Sequence, residues 1–240
     1  MAELVLREDR DGLAILTLNR PERRNAMTPE LMSALASAFR EPAERAFVFT
    51  GAGSAFCVGA DLKWLGALDD PGDGVATLVA AHHEVVRAMR QAVVPVVTAV
   101  NGPAAGGGMS LALAGDYCVA APSATFTAAY FRLGLTPDGG NSAFLPALVG
   151  RARAMELLLT NRTLSADDAL SWGLVNEAGS LDRACEVAAG FAPVPAETLL
   201  TSRRLLDGEL LAQLDQEQKA VATAARRPGF AEAVRAFLRR

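Results

Sequence analysis

Two periodicities of apolar residues divide the chain. Residues 4 to 19 alternate apolar and polar positions around Asp11-Gly12, so "LVLRE" and "LAILTLN" predict a hairpin closed by a tight turn. The basic loop "RPERRNAMTPELM" follows, in which Thr28 is placed to cap a helix and Pro29 to occupy its first turn, with the helix ending near Arg40. "AFVFTG" and "VVPVVTAVNG" are short, unbroken apolar runs rich in β-branched residues and stopped by glycine, the pattern of parallel strands covered on both faces; "DYCVAA" predicts a third. Between the first two runs, a loop around "DDPGDG" leads into a helix through "VAAHHEVVRAMR". The order strand, loop, helix, strand predicts α/β architecture.

From about Ala152 the period becomes helical. "ARAMELLLT" and "SADDALSWG" read as helices, the second with Ser165 as N-cap and Gly173 just past its end. Beyond "LVNEA" helix follows helix, the last starting at Pro228, and Leu205, Leu206, Leu210, Leu211 and Leu214 form apolar stripes for packing on the main body or on another subunit. No fixed-period repeat or low-complexity segment interrupts the pattern.

With 240 residues, 51% of them hydrophobic, and a formal net charge of −4, the chain reads as a soluble enzyme with one main domain rather than a nucleic-acid binder or a disordered segment. The charged start "MAELVLREDRDG" lacks a signal peptide's apolar centre and no apolar run spans a bilayer, so the expected compartment is the cytoplasm and no membrane partner is expected. Cys57, Cys118 and Cys185 are far apart and without CxxC spacing; core thiols are expected, with no disulfide framework and no metal-ligand cluster.

The chemistry concentrates in two glycine-rich turns, "TGAGSAFCVGADL" and "NGPAAGGGMS", each following an apolar strand. A glycine inside a helix costs roughly 1 kcal/mol relative to alanine, so Gly106, Gly107 and Gly108 at a helix mouth imply a need for bare backbone. A phosphate loop would require Lys-Ser/Thr after the glycines, and a dinucleotide fingerprint would require glycine where Phe56 stands. Two readings remain: glycines for tight strand-to-helix packing, or two turns whose N–H groups converge on one oxygen as an oxyanion hole.

These turns, together with "LNRPERRNAMT", "FRLGLTPDGG" and "LSADDALSWGLVN", resemble in order the signatures of the crotonase, or enoyl-CoA hydratase/isomerase, superfamily. The resemblance implies a spiral of ββα units over residues 1–190, a C-terminal helical trimerisation segment over 191–240, a homotrimer or a hexamer of two trimers, and acyl-CoA thioester substrates with no cofactor beyond their coenzyme A moiety. Carried over by position, it puts the oxyanion-hole amides on Ala60 and Gly107, and the coenzyme A groove along the backbone of Arg24, Ala26, Val58, Asp61 and Leu62. For Asp61 a local cap or turn role is an equal reading. Arg23, Arg226, Arg227, Arg235, Arg239 and Arg240 are further phosphate candidates by charge, although solvated helix faces account for them as well.

The departures point to the reaction. At the positions of the two hydratase glutamates this chain has Ser110 and Tyr130, and neither is a carboxylate base. Isomerase members of the superfamily carry one acid after "GL", here Asp138; on spacing alone, Pro-Asp-Gly is an ordinary turn sequence. Flanked by Leu133, Leu135, Phe144 and Leu145, a carboxyl at Asp138 is expected to be partly desolvated and raised in pKa, able to accept and return a proton. The resemblance therefore implies an enoyl-CoA isomerase, with the "GLxPDxG" ring-epoxide isomerases as a close variant. The alternatives are a 4-chlorobenzoyl-CoA dehalogenase-like hydrolase with Asp138 as nucleophile and His83 as base, an enoyl-CoA hydratase, and a non-catalytic acyl-CoA-binding member. His83 lies twelve residues before Pro95, as in the dehalogenases, whereas Tyr130 replaces their tryptophan.

Overall fold

The computed structural model describes residues 3–239; Arg240, one of the phosphate candidates, lies outside them. The hairpin forms as the alternation predicts: β1 (Val5–Arg10) and β2 (Leu13–Leu18) pair antiparallel, with Asp11 and Gly12 both at positive φ in the turn. A short 3-10 turn (Pro21–Arg23) and α1 (Pro29–Arg40) follow, and the Thr28 hydroxyl accepts the Leu31 N–H at the helix start. Next come β3 (Ala46–Gly51), α2 (Leu62–Gly66), α3 (Pro71–Gln91), β4 (Val96–Val100), β5 (Pro103–Ala105), α4 (Gly107–Leu113), β6 (Tyr117–Ala120) and β7 (Thr125–Thr127). The second half holds a 3-10 turn (Phe131–Leu133), α5 (Asn141–Thr160), β8 (Thr163–Ser165), α6 (Ala166–Ser171), β9 (Glu177–Ala178), and helices α7 (Leu181–Gly190), α8 (Ala196–Asp207), α9 (Leu210–Ala225) and α10 (Pro228–Leu238).

The main sheet runs β1-β2-β3-β4-β6-β9, parallel from β2 onward. Both faces are covered, which is why its strands read as continuous apolar runs. Leu13, Ile15, Val48, Val97 and Val119 pack against α7, while Leu16, Leu18, Phe47 and Phe49 join α1, α3 and α4 in the larger core. After each central strand the chain enters a second, smaller layer. There β5, β7 and β8 form a three-stranded sheet, extended by single bridges from Cys57 to Ala104 and from Met27 to Ala60. Strand, short strand and helix repeated in this way make the spiral of ββα units.

Three local readings change. "DDPGDG" is not a loop before a helix: Asp70 caps α3 through the Gly72 and Asp73 amides, Pro71 opens the helix, and both glycines lie within it. A helical stretch from Asn141, broken at Gly150 (φ 76°), precedes the helix predicted from Ala152. The C-terminal stripe also splits: Leu210 and Leu214 are buried in the main core, whereas Leu205 and Leu206 are 79% and 87% exposed. Helix α8 is held by the buried Arg203, which donates to Asp116 and to the carbonyls of Ala92 and Val94, while Arg90 bridges Asp207 and Asp116.

The three cysteines are free and buried. Among the described residues no helix is long and apolar enough to cross a membrane, and no group of three or more His, Cys, Asp or Glu side chains is gathered as for a metal ion.

Candidate active site

The two glycine-rich turns meet through backbone pairing. Met27 donates to the Gly59 carbonyl at 2.8 Å and accepts from the Asp61 amide at 2.9 Å, so the intervening Ala60 turns its own N–H away from Met27. Cys57 is likewise paired with the segment leading to Gly106, donating to Pro103 and accepting from Ala105. Gly107 is the first residue of α4, so its N–H has no intrahelical acceptor. Ala60 and Gly107 both line one cavity of about 540 Å³.

The bare backbone at the helix mouth serves the protein's own packing. Gly106 adopts φ 54°, ψ −124°, a conformation open essentially to glycine alone. A Cβ on Gly108 would lie 2.0 Å from the Cys57 carbonyl oxygen, so any side chain there would push the two turns apart.

Asp138 reaches the same cavity from the turn before α5 and is only 8% exposed. The Ser110 hydroxyl donates to its main-chain carbonyl at 2.9 Å, the Tyr130 hydroxyl donates to its Oδ1 at 3.1 Å, and Asn141 Nδ2 donates to Tyr130 Oη at 2.9 Å. The residues at the two hydratase glutamate positions are thus donors that hold the aspartate. Burial, reinforced by the Glu217 carboxylate and only partly offset by the Tyr130 hydrogen bond, raises the Asp138 pKa to about 7. The Tyr130 phenol is itself pushed well above its ordinary value, first by burial, and stays protonated.

Of the two histidines, the cavity receives His82. Its Nδ1 stands 3.7 Å from Asp138 Oδ1 and neither ring nitrogen has a protein partner. Burial, with His83 beside it and the Gly107 backbone pulling weakly the other way, lowers its pKa to about 3, so the ring is neutral. His83 lies behind the Asp138 turn, where its Nε2 accepts the Gly139 N–H at 3.0 Å. It is not among the cavity-lining residues, and burial followed by the Arg87 charge lowers its pKa to about 4.

Arg24, Ala26, Val58, Asp61 and Leu62 all line the cavity. Arg24 and Asn25 are both left-handed, and the buried Asn25 side chain fixes that loop by accepting from the Arg20 amide and donating to the Ala52 and Ala55 carbonyls. The Asp61 carboxylate caps α2 through the Lys63 and Trp64 amides and pairs with Arg20 and Arg23, so its contacts are those of a local cap. Burial works to raise its pKa, but the Trp64 amide and the two guanidinium groups hold it below the ordinary value. Phe237 and Leu238 of α10 close one wall, whereas Arg226, Arg227, Arg235 and Arg239 do not line the cavity. Asn141 and Glu217 are not singled out by the sequence. Glu217 had a signal, a carboxylate on the buried stripe Leu210, Leu214, Val221 and Ala224.

Fold and cavity together define an α/β enzyme of the ββα-spiral class. The sequence model described as enoyl-CoA hydratase/isomerase matches residues 8–233, and the chain belongs to that family, the crotonase superfamily of acyl-CoA-processing enzymes. It is 37% identical to the 1,2-epoxyphenylacetyl-CoA isomerase of Escherichia coli (strain K12), over 99% of this chain and 96% of that one. It is 34% identical to 4-chlorobenzoyl coenzyme A dehalogenase-2 of Arthrobacter sp, over 96% and 88%. A solved enoyl-CoA hydratase from Mycobacterium avium subsp. paratuberculosis K-10 superimposes with a TM-score of 0.85 at 31% identity, over 98% of this chain and 99% of that one.

Proposed function

We propose that the protein is an acyl-CoA isomerase that shifts a double bond through a thioester enolate, with Asp138 as its single acid/base. The carrying observation is a buried carboxyl of pKa about 7 in the cavity that Ala60 and Gly107 line. A base poised near neutrality accepts a proton and then returns it without a second group. Asp138 takes a proton from C2 of a 3-enoyl-CoA, and the C–H electron pair spreads over C2, C4 and the thioester oxygen. That oxygen rests on the Ala60 and Gly107 N–H groups, and the protonated Asp138 then delivers its proton to C4, leaving the 2-enoyl thioester. Losing one such donor typically costs about 3 kcal/mol of transition-state stabilisation. The coenzyme A moiety runs along Arg24, Ala26, Val58, Asp61 and Leu62, with the Arg24 and Lys63 charges available to its phosphates; no further cofactor is required. Hydration is disfavoured because Ser110 and Tyr130 are committed as donors to Asp138. A homotrimer, or a hexamer of two trimers, and a cytoplasmic location belong to the same proposal, the former supported by the exposed Leu205 and Leu206 of α8.

Similarity to the dehalogenase favours a second reading, in which Asp138 attacks an aromatic ring carbon, chloride leaves, and water cleaves the resulting ester. His83 is poorly placed as the base for that water, since its Nε2 is occupied by the Gly139 N–H. The test is a panel of 2-enoyl, 3-enoyl and 4-chlorobenzoyl thioesters with wild type and Asp138→Asn. Conversion of the 3-enoyl thioester, lost by about 100-fold or more in the variant with affinity retained, is the expected result. Undiminished turnover in the variant removes Asp138 from the mechanism, and chloride release without isomerisation selects the second reading.

A further inference from the structure

We propose that Glu217 of α9 and His83 of α3 form a positioning clamp that holds the Asp138-Gly139-Gly140 turn and sets the proton affinity of the Asp138 carboxyl. This rests on Asp138 being the acid/base. Three amides of the turn and the helix start after it are gripped from behind. The Gly139 N–H donates to His83 Nε2 at 3.0 Å, the Gly140 N–H to Glu217 Oε2 at 2.8 Å, and the Ser142 N–H to Glu217 Oε1 at 2.9 Å. Glu217 and His83 are 3% and 0% exposed, and His83 Nε2 stands 3.6 Å from Glu217 Oε2.

The chemistry of the grip is specific. Gly140 N–H and Ser142 N–H belong to the first turn of α5, which needs acceptors, and a carboxylate supplies both at once. Accepting from Gly139 requires an unprotonated His83 Nε2, so the ring is the Nδ1–H tautomer and adds no positive charge beside Glu217. The negative charge of Glu217 is then left to act on Asp138 across the turn. The other groups facing Asp138 are His82 from the same helix as His83, neutral, and Tyr130, a neutral donor. Burial raises the pKa of Glu217 itself, but the two amide donors of Gly140 and Ser142 favour its ionised form, which makes it the anionic side chain next to Asp138, with an upward influence. The helix that carries Glu217 lies nearly 80 residues beyond the turn, so the C-terminal helices contribute to the site through this carboxylate.

Replacing Glu217 by Gln keeps the size, loses the charge and turns one acceptor into a donor aimed at an amide. The expected result is a kcat lower by about 10- to 100-fold, KM within about 3-fold, and an acid limb of the pH–rate profile displaced downward by about one pH unit. His83→Leu should lose kcat to a similar degree, and His83→Gln, whose amide oxygen still accepts from Gly139, should recover most of it. Unchanged kcat and an unmoved acid limb in Glu217→Gln overturn the proposal, as does equal impairment of His83→Gln and His83→Leu. Asp138→Asn runs in parallel: if it retains turnover, the isomerase reading has failed. The clamp is then judged by the Asp138 carboxyl band in infrared titration, which must move down in pH in Glu217→Gln to sustain it and refutes it by staying fixed.

Discussion

Replacing Asp138 by asparagine removes the ionisable group from the cavity and keeps its shape, so stability and activity should move in opposite directions. The folded protein holds the Asp138 proton up to about pH 7, whereas the unfolded chain releases it near 3.8. Between those values the folded state binds one proton more than the unfolded state, so stability falls as pH rises through this window. Below pH 4 both states are protonated and the penalty vanishes; above pH 7 it is complete. A displacement of about 3 pH units at about 1.4 kcal/mol each gives roughly 4 kcal/mol of destabilisation at pH 8. Asparagine avoids it but fits the Tyr130 hydroxyl less well, a loss of about 1 kcal/mol. The net gain of about 3 kcal/mol corresponds to a melting temperature roughly 6–12 °C higher at pH 8, falling to about 3 °C or less at pH 5.

Thermal denaturation of wild type and variant across pH 5 to 8 measures this, and the difference between the two curves is the informative quantity. His82 and His83, neutral when folded, bind protons on unfolding below about pH 6.5, so they destabilise both proteins as the pH drops. Subtraction removes that shared trend. A gain that does not depend on pH, or a variant less stable than wild type at pH 8, refutes the reasoning. Either would mean that the Asp138 carboxylate is well solvated or that donors hold it ionised.

For the isomerase reading, kcat/KM should rise with a one-proton slope about a midpoint near pH 7, since Asp138 must be ionised to accept the substrate proton; a flat profile from pH 5 to 8 opposes it. Gly108→Ala places a Cβ against the Cys57 carbonyl and should destabilise by about 1–3 kcal/mol or more while separating the two amide turns, read as a lower melting temperature and lost turnover. Asp61→Ala removes the cap of α2 and frees Arg20 and Arg23, whose partial exposure limits the loss to about 2 kcal/mol by denaturant unfolding. Arg203→Ala removes the donors to Asp116 and to the Ala92 and Val94 carbonyls, while Arg90 still pairs with Asp116, and should cost about 1–3 kcal/mol, seen as a lower denaturation midpoint.

Much of the scaffold was legible because its rules are local. Buried parallel strands read as apolar runs, and Thr28, Ser165 and Pro228 mark helix starts through capping chemistry that acts within one turn. The short strands β5, β7, β8 and β9 were not predicted, since two or three residues are too few to establish alternation and their pairing is set by distant segments. The helix from Asn141 was hidden by Gly139-Gly140 before it and Pro146 within it. For the candidate site, the sequence points to Asp138, Ala60 and Gly107, which line one cavity, but not to which imidazole enters it. Consecutive residues on a helix differ by about 100° in direction, and both histidines fall on the buried face of α3, so periodicity alone does not separate them. Packing against Gly107 and Gly139 does.

The same packing gives Ser110 and Tyr130 a role beyond the absence of two glutamates. A glutamate in place of Ser110 would set a second carboxylate against the Asp138 carbonyl, with Glu217 already on the far side of the turn. Like charges so close cannot all remain ionised, and at least one would hold a proton near neutral pH. With hydroxyl groups at both positions, no second carboxyl stands against Asp138 on that side, and its neighbours orient it without competing for its proton. Such a site is suited to carrying one proton between two carbons of the same acyl chain, and ill suited to splitting a water molecule, where one group must take a proton while another gives one.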